Sequence, residues 1–252
     1  MSRSHVVVAA LLAVTLDPLA NAQLKSGTGV PALTAEDREE IRQLNARYSL
    51  ALGMCDAEHW PAVFAAPDGF FASASRGKIQ GQHRLAEMNR SYDCVYVNGV
   101  APAHAPAVLV PYTITVEATR DGAAGFAYYN GGRYDDVYVK TRGGWRFQSR
   151  TVVSNKELAA GFSGKDLDEI QRLAAANGGP YEDVYEPWAH GRRLKSAAVS
   201  LTLGANGATG QAYLKDGSHY EDVYTRTPSG WRFQSRTFVA APDKAGRATA
   251  GL

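Results

Sequence analysis

The first third of the chain carries apolar residues at helical spacing. Ile41, Leu44, Tyr48 and Leu52 recur at intervals of three or four, which predicts an amphipathic helix of about four or five turns. Thr34, with an aspartate three residues on, predicts the start of this helix in a capping box. Shorter patterns predict two further helices at 58–64 and 82–92, and a small hairpin with strands at 70–75 and 78–81.

From residue 108 onward the pattern is that of strands. Residues 110–119 alternate between polar and apolar positions and are rich in β-branched side chains, which is typical of a half-buried strand. Similar patterns predict three further strands, at 125–129, 133–141 and 145–153. We therefore expect an α+β fold, in which three helices and a small hairpin precede an antiparallel sheet.

One passage of the chain occurs twice. Residues 132–153 and 218–239 are identical at 14 of 22 positions when shifted by 86 residues. A third fragment, at 179–188, repeats the Tyr-Glu-Asp-Val-Tyr core. Self-similarity of this kind indicates duplicated architecture, although the copies are too few for a solenoid. We interpret residues 165–240 as a partial copy of the sheet-forming half.

The partial copy is predicted to contain one helix and four strands. The helix lies at 165–176, and the strands lie near 193–203, 208–215, 219–227 and 231–239. Counterparts of the second helix and of the turn after it are missing, so this half lacks the helices that would close a pocket. We expect it to pack on the first half or on a neighbouring subunit.

The N-terminal residues have the features of a secretory signal peptide. Arg3 precedes an apolar run at 6–16, and Ala20-Asn21-Ala22 offers a cleavage site before Gln23. The run is too short to span a bilayer as a helix. We expect cleavage near Ala22-Gln23, export to the periplasm or secretion, and no membrane attachment of the mature form; a buried N-terminal helix or strand is the alternative. Export would permit a Cys55–Cys94 disulfide, which the sequence alone does not decide.

Charge argues against one class of partner. The formal net charge is +2, and the Lys and Arg residues are scattered along the chain. Binding of nucleic acid requires a clustered basic face. We therefore expect no nucleic-acid partner.

Several short motifs are shared with a known family. They are YSLAL at 48–52, DAEHW at 56–60, FAAPDG at 64–69, a glycine-to-leucine spacing at 81–85, YDDVY at 134–138 and GWRF at 144–147. In these motifs the chain resembles the SnoaL-like branch of the NTF2-like superfamily, well over 34–153 and partly over 165–240. The resemblance implies a cone-shaped α+β barrel, in which helices on a curved antiparallel sheet enclose one apolar cavity, with a partial C-terminal repeat of the sheet half.

The resemblance and the repeat together predict the domain organisation. A signal peptide (1–22) and a tether (23–33) precede a SnoaL-like domain (34–153), and a partial repeat (165–240) and a tail (241–252) follow. We also expect a homo-oligomer.

The resemblance does not decide the activity. Relatives in the superfamily include scytalone dehydratase, limonene-epoxide hydrolase, ketosteroid isomerase, polyketide cyclases and lignin-dimer formaldehyde lyases. Many others only bind ligands or proteins, and fold alone does not choose among these functions. The chain departs from the dehydratase-like pattern at Gly53, where such relatives often carry a catalytic aspartate.

Strand alternation sorts the hairpin at 133–153 into two faces. Pairing about Arg142-Gly143 places Lys140 opposite Trp145, Tyr138 opposite Phe147 and Asp136 opposite Ser149. One face is then aromatic and acidic, and consists of Tyr134, Asp136, Tyr138, Trp145, Phe147 and Ser149. On the other face Asp135 falls opposite Arg150, as Glu221 does opposite Arg236 in the second copy. We interpret both as structural ion pairs, each worth roughly 0.2–1 kcal/mol.

The aromatic and acidic face is the candidate cavity lining, because small-molecule pockets are mostly apolar with a few polar groups. His104 lies where dehydratase relatives carry a cavity histidine, and histidine titrates near neutrality. We name four catalytic candidates, His104, Asp136, Tyr134 and Tyr48. His104 or Asp136 would move a proton, and the two tyrosines would hold the substrate oxygen. Tyr134 and Asp136 recur in the second copy as Tyr220 and Asp222, so a structural role stays open, as core packing does for Tyr48.

The other candidates would contact the substrate. They are Trp60, Phe64, Tyr112, Tyr128, Tyr138, Trp145, Phe147 and Ser149. The histidines and cysteines show no spacing typical of a metal site, and no phosphate-binding or dinucleotide-binding motif occurs. We therefore expect neither a metal nor a cofactor.

The leading hypothesis for function is a cofactor-independent lyase or dehydratase that removes water or formaldehyde from a small hydrophobic alcohol. A phenolic or aromatic substrate, such as a lignin-derived dimer, suits this chemistry because a phenol can form a quinone methide and act as its own electron sink. The alternative is a non-catalytic protein that binds a small molecule or mediates oligomerisation.

Overall fold

The structure is a computed structural model that describes residues 30–95, 100, 102–178, 184–188, 191–196, 199–204, 207–214 and 216–241. The predicted signal peptide, its cleavage site, most of the tether and nearly all of the tail lie outside the described residues. From Pro31 onward the described residues belong to one compact unit. Among them, no helix combines the length and the apolar character needed to cross a membrane.

Helices and strands of the first half follow the order that the sequence pattern predicts, whereas the second half adds one short helix and one strand that were not predicted. The first half contains α1 (Ala35–Gly53), α2 (His59–Ala62), β1 (Phe70–Ser73), β2 (Gly77–Gln80), α3 (Gln82–Arg90), β3 (Thr113–Thr119), β4 (Gly122–Tyr129), β5 (Gly132–Thr141) and β6 (Gly144–Ser154). The second half contains α4 (Asn155–Ala159), α5 (Gly164–Gly178), β7 (Val184–Trp188), β8 (Gly191–Ser196), β9 (Val199–Gly204), β10 (Gly207–Tyr213), β11 (His219–Thr227) and β12 (Gly230–Val239). The strand predicted at 193–203 is therefore wrong, because two strands, β8 and β9, occupy that range.

The six strands of the first half form one sheet in the order β2-β1-β6-β5-β4-β3. Strand β1 runs parallel to β6, and the other neighbours are antiparallel. Side chains from α1, α2 and α3 join those of one sheet face in a single apolar core. The predicted α+β class, with helices on a curved sheet, is confirmed, and the sheet is antiparallel except for the β1–β6 pair.

The predicted capping box begins α1 and also ties this helix to the sheet. The Thr34 hydroxyl accepts the backbone N–H of Asp37 at 3.0 Å, and the Asp37 carboxylate accepts the backbone N–H of Thr34 at 3.0 Å. The same carboxylate accepts from the Trp145 indole at 3.0 Å and from the Lys140 ammonium at 2.6 Å. One acidic side chain thus fixes the start of α1 against the β5–β6 hairpin.

The carboxylate of Asp37 makes the stability of the fold sensitive to acid. The hydrogen bonds from Lys140, then Trp145, then Thr34 all favour the ionised form, and they hold the pKa of Asp37 well below its usual range. A carboxyl group whose pKa is lower in the folded state stabilises the fold fully above its ordinary pKa of about 4 and loses that contribution as the pH falls further.

We therefore expect Asp37→Asn to reduce the free energy of unfolding at pH 6, and we expect the difference from the wild type to shrink as the pH falls below about 4. Urea unfolding between pH 6 and pH 2.5 measures this difference. The control is Asp68→Asn, at an exposed position in the turn after α2. A pH-independent difference between Asp37→Asn and the wild type would contradict the prediction.

The second half packs on the first half through α5. Strands β9 to β12 form a separate antiparallel sheet in the order β12-β11-β10-β9. Leu167, Ile170 and Ala174 of α5 share a core with residues of both sheets. The Leu201 N–H donates to the Ala74 carbonyl at 2.7 Å, which joins β9 to the first half.

Contacts made by α1 on the first sheet recur where α5 meets the second sheet. The Trp231 indole donates to Asp166 at 2.9 Å, as Trp145 does to Asp37. The Asp166 carboxylate also accepts the backbone N–H of Ser163 at 2.7 Å, as Asp37 accepts that of Thr34. Helix α5 therefore corresponds to α1, with Asp166 at the position of Asp37. A variant of the second half can serve as the matched control for a variant of the first half.

A β-bulge changes the faces predicted for the β5–β6 hairpin. Tyr138 pairs with Phe147 as expected, but Val137 pairs with Ser149, so Gln148 is the extra residue. One inserted residue reverses the sheet face to which every later side chain of the strand points. Arg150 therefore pairs with Asp136. The predicted pairings of Asp136 with Ser149 and of Asp135 with Arg150 are therefore wrong.

The second copy has the same irregularity. Asp222 pairs with Arg236, and Glu221 pairs with Thr237, so the predicted Glu221–Arg236 pair is also wrong. In the first half, Asp135 instead accepts the backbone N–H of Gly164 at 2.9 Å and thereby contacts the first turn of α5.

A disulfide joins Cys55 to Cys94, with their Cα atoms 5.7 Å apart. Cys55 follows α1, and Cys94 lies four residues beyond the end of α3. The bond that the sequence left undecided is therefore present, and it ties the ends of two helices together.

Candidate functional site

Aromatic side chains from the helices and the sheet meet in the interior of the first half. Tyr48, Trp60, Phe64, Tyr134, Tyr138 and Phe147 are each at most 2% exposed. The Tyr48 ring lies 5.7 Å from that of Trp60 and 5.8 Å from those of Tyr134 and Phe147, measured between ring centroids. Edge-on and tilted contacts at these distances are favourable for aromatic rings.

Phe64 reaches this interior because the chain after α2 runs alongside β6. The Ala65 N–H donates to the Phe147 carbonyl at 2.8 Å, and the Phe147 N–H donates to the Val63 carbonyl at 2.9 Å. Trp145 also lies in the core, at 4% exposure, with its indole N–H directed to α1. The interior therefore contains most of the side chains predicted to bind substrate.

Arg150 occupies the centre of this aromatic cluster. Its guanidinium carbon lies 4.4, 4.0 and 4.1 Å from the ring centroids of Tyr48, Tyr134 and Phe147, respectively. The guanidinium donates to the Asn45 side-chain oxygen and to both carboxylate oxygens of Asp136, at 2.9 and 2.7 Å. Burial would lower the pKa of Arg150, but the charge and hydrogen bonds of Asp136 raise it, and the net shift is upward.

Both oxygens of Asp136 have partners. One accepts from the Arg150 Nε, and the other accepts from Arg150 Nη2 and from the Tyr138 hydroxyl at 2.8 Å. The second half contains the same network, in which Asp222 accepts from Arg236 at 2.7 and 2.8 Å and from Tyr224 at 2.6 Å. The recurrence indicates that the fold itself uses this arrangement.

Two buried donors of this cluster, Arg150 Nη1 and Trp60 Nε1, have no hydrogen-bond partner among the described residues. Arg150 is fully buried, and its Nη1 makes no hydrogen bond within the part of the chain that the structure describes. An unused donor on a buried cation is costly unless something accepts from it. The interior therefore offers one charge-assisted donor to an oxygen atom of a ligand.

Two tyrosine hydroxyls lie in the same interior. Tyr134 donates to the Leu109 carbonyl at 3.1 Å, and the Tyr48 ring lies 5.8 Å from the Tyr134 ring, measured between centroids. Burial raises the pKa of both tyrosines well above the usual value. Both groups therefore remain protonated at neutral pH and are suited to donating hydrogen bonds rather than to acting as bases.

The segment between α3 and β3 contacts this interior. Leu109 accepts from Tyr134, and Val108 and Leu109 pack partly buried against the core. A Cβ atom at position 53 would lie 3.4 Å from the Val108 side chain. Val108 therefore lies against Gly53, the position where dehydratase-like relatives often carry an aspartate.

Four predicted site residues lie outside the interior. His104 is exposed, and Tyr112 is 73% exposed. Tyr128 pairs with Arg133 and so faces the opposite side of the sheet from Tyr134. The bulge places Ser149 beside Val137 on that outer face.

Sequence reasoning missed three interior residues: Asn45, Tyr129 and Arg150. Tyr129, one position beyond the predicted Tyr128, is 5% exposed and lies 5.1 Å from the Tyr134 ring. A signal for Arg150 was present in the repeat, because Asp136 and Arg150 are both unchanged in the second copy, whereas Asp135 becomes Glu221. In the described residues, no group of three or more His, Cys, Asp or Glu side chains could hold a metal ion.

Comparisons with known proteins match the first half. Residues 33–151 match the family model described as a SnoaL-like domain. No curated protein matches the chain.

Solved structures similar to this chain include three bacterial proteins. A protein of unknown function from Mycobacterium tuberculosis is 23% identical, with 48% of this chain and 72% of that chain covered and a TM-score of 0.39. An NTF2-like protein with a cystatin-like fold from Novosphingobium aromaticivorans is 23% identical, with 48% and 82% covered and a TM-score of 0.36. A candidate scytalone dehydratase from the same organism is 18% identical, with 48% and 85% covered and a TM-score of 0.37.

Proposed function

We propose that this protein, whose residues 33–151 match the family model of a SnoaL-like domain, is a cofactor-independent lyase or dehydratase. The substrate class is a small hydrophobic alcohol, phenolic or otherwise aromatic, such as a lignin-derived dimer. The observation that carries the proposal is the unused Nη1 donor of the buried Arg150, which lies against the rings of Tyr48 and Tyr134. An apolar, aromatic enclosure with a few polar groups suits such a ligand.

The polar groups of the interior would act as donors to the phenol oxygen. Tyr48, Tyr134 and Arg150 Nη1 can all donate hydrogen bonds, and such donors are most effective where water is excluded. Negative charge that develops on a phenol oxygen would be stabilised there. Binding would require Tyr134 to exchange the Leu109 carbonyl for the substrate, so residues 108–109 would have to move aside.

The proposed reaction balances without an external oxidant or reductant. In the dehydration, the phenol O–H bond and the C–O bond on the ring-attached carbon break, and the proton and hydroxide leave as one water molecule. The electrons of the O–H bond pass through the ring to form a quinone methide. The carbon bonded to the methide carbon can itself carry a CH2OH group. The bond between that carbon and the CH2OH group then breaks, and the O–H proton of the CH2OH group returns to the ring oxygen. This step releases formaldehyde and restores the aromatic ring.

We expect Tyr48→Phe and Tyr134→Phe each to lower turnover about 100-fold or more, as removal of one transition-state donor does in other enzymes. Mass spectrometry of phenolic alcohols incubated with the protein measures loss of water or formaldehyde. The matched control is Tyr220→Phe, which changes the second-half counterpart of Tyr134 and should leave turnover intact. Wild-type turnover in both first-half variants would rule out this site.

Non-catalytic binding is the second candidate function. Two observations favour it. The Asp136–Arg150 network recurs in the second half, which indicates a structural role for Asp136. His104 is exposed and therefore does not transfer a proton in the aromatic interior. Non-catalytic binding predicts that the mass spectra show every compound unchanged, with some retained by the protein through buffer exchange.

We also propose that the protein is exported and forms a homo-oligomer. The Cys55–Cys94 bond supports export, because disulfides persist mainly in oxidising compartments. Exposed apolar side chains support a contact between copies: Val110 and Tyr112 lie just before the edge strand β3, and Val137 lies on β5. Sedimentation as a monomer at micromolar concentration would contradict the oligomer.

A further inference from the structure

A groove on the outside of the first half lies between the C-terminal part of α1, α2 and the turn that joins β5 to β6. Its volume is about 490 Å³, which is within the range of small-molecule sites. The apolar lining consists of Leu44, Leu50, Ala51, Met54, Ala62 and Val63. Leu50 and Met54, one helical turn apart, are 65% and 66% exposed. This groove is separate from the aromatic interior around Arg150.

Two arginines line the same groove. Arg47 comes from α1, and Arg146 comes from β6. Within the described part of the chain neither forms an ion pair, and Arg146 donates only to the Trp145 carbonyl, at 2.8 Å. The groove thus combines an apolar floor with two cations that have no anionic partner there.

The acidic side chain of the groove is already engaged. Asp56 accepts the backbone N–H groups of Glu58 and His59 at 3.1 and 2.9 Å and the His59 ring Nδ1 at 2.8 Å. These bonds hold the pKa of Asp56 below its usual value, with the His59 backbone N–H as the largest favourable cause. The Asp56 carboxylate therefore binds groups at the start of α2 rather than the two arginines. Both arginines remain available to an external anion.

The second half lacks this pair of cations. Arg232, the counterpart of Arg146, donates to the Ser229 carbonyl at 3.0 Å and to the Trp231 carbonyl at 2.6 Å. Gly143 stands at the position of Ser229, and in α5 Ala176 stands at the position of Arg47. The first half therefore differs from its copy in two respects. It has a second cation, Arg47, and its Arg146 lacks the hydrogen bond that Arg232 makes to the Ser229 carbonyl.

We propose that this groove binds a small organic anion with an apolar body, of the aryl or alkyl carboxylate class. The carboxylate pairs with Arg47 and Arg146, and the body covers Leu50 and Met54. Charge complementarity selects the anion, since guanidinium groups recognise carboxylates through charge-assisted hydrogen bonds. The exposed apolar pair on α1 selects a ligand that is more than an inorganic ion. This inference does not depend on the proposed lyase activity.

Isothermal titration calorimetry of the whole protein with 2-naphthoate, and with neutral 2-naphthamide as the matched ligand, tests the proposal. We expect naphthoate to bind at least tenfold more tightly than the amide, and Arg47→Gln and Arg146→Gln each to weaken naphthoate binding about tenfold. Higher salt should also weaken it, because exposed charges are screened. Arg232→Gln, in the second half, should change nothing.

Three results would overturn the proposal. The first is no naphthoate binding at millimolar concentration, and the second is equal affinity for the acid and the amide. The third is loss of binding in Tyr134→Phe but not in the two arginine variants, which would assign the ligand to the interior. Because turnover is not the readout, failure here and failure of the lyase proposal remain distinguishable.

Discussion

Replacement of Asp136 by asparagine is expected to lower the free energy of unfolding by about 3–5 kcal/mol, since loss of one partner leaves a buried charge uncompensated. Both side chains of the Asp136–Arg150 pair are 0% exposed. The guanidinium of Arg150 cannot reach water from this position, and its contacts with aromatic rings do not replace a carboxylate. Urea unfolding, followed by tryptophan fluorescence, measures the loss.

The second half provides the matched control for this prediction. Asp222→Asn removes the same partner from Arg236, whose side chain is 14% exposed and can recruit water more readily. We expect a smaller loss there. We also expect the double variant Asp136→Leu/Arg150→Met to recover part of the stability, because replacing both members of a buried pair by apolar residues is far less costly than removing one. Equal losses in Asp136→Asn and Asp222→Asn would contradict this account.

Loss of the Cys55–Cys94 disulfide is expected to lower the free energy of unfolding by about 4 kcal/mol. The two cysteines are separated by 39 residues, and a cross-link across a loop of that length removes about this much chain entropy from the unfolded state. The Cys55→Ser/Cys94→Ser variant, compared with the oxidised wild type in urea, measures the effect.

A reducing agent gives an independent measurement of the same effect. Dithiothreitol should lower the urea midpoint of the wild type toward that of the double variant, and it should leave the midpoint of the double variant unchanged. If the oxidised wild type and the double variant unfold at the same midpoint, the bond adds nothing to stability and the expectation fails.

The helices and strands of the first half were predictable because residue spacing, helix capping and strand alternation depend on nearby residues only. The spacing of Ile41, Leu44 and Tyr48 identified α1 and its buried face, and Thr34 identified its cap. Alternation located β3 to β6, and the repeated passage indicated a partial second copy of the sheet-forming half. Residues such as Trp60, Tyr134 and Phe147 were assigned to the interior because the face of a large aromatic side chain follows from position in its own helix or strand.

Long-range features of the candidate site were not predictable in this way. Tyr128 was predicted to line the interior, but Tyr129 does so, because the start of β4 relative to its partner sets which of two adjacent residues faces inward. His104 was assigned through the resemblance, and the segment that carries it brings Val108 and Leu109, rather than the histidine, to the core.

The sequence by itself determined the elements of the first half, their order, the α+β class and the repeated passage, because spacing, capping and β-branching act over a few residues; α4 and β7 of the second half were not predicted. Only the tertiary structure decided that Arg150 pairs with Asp136 and that Asn45 joins them. The physical reason is the bulge at Gln148, since a single unpaired residue reverses the facing of every side chain beyond it, and the strict two-residue alternation from which the faces were predicted contains no such residue. The same bulge brings an arginine with an unused donor into an aromatic core and thereby forms the candidate site.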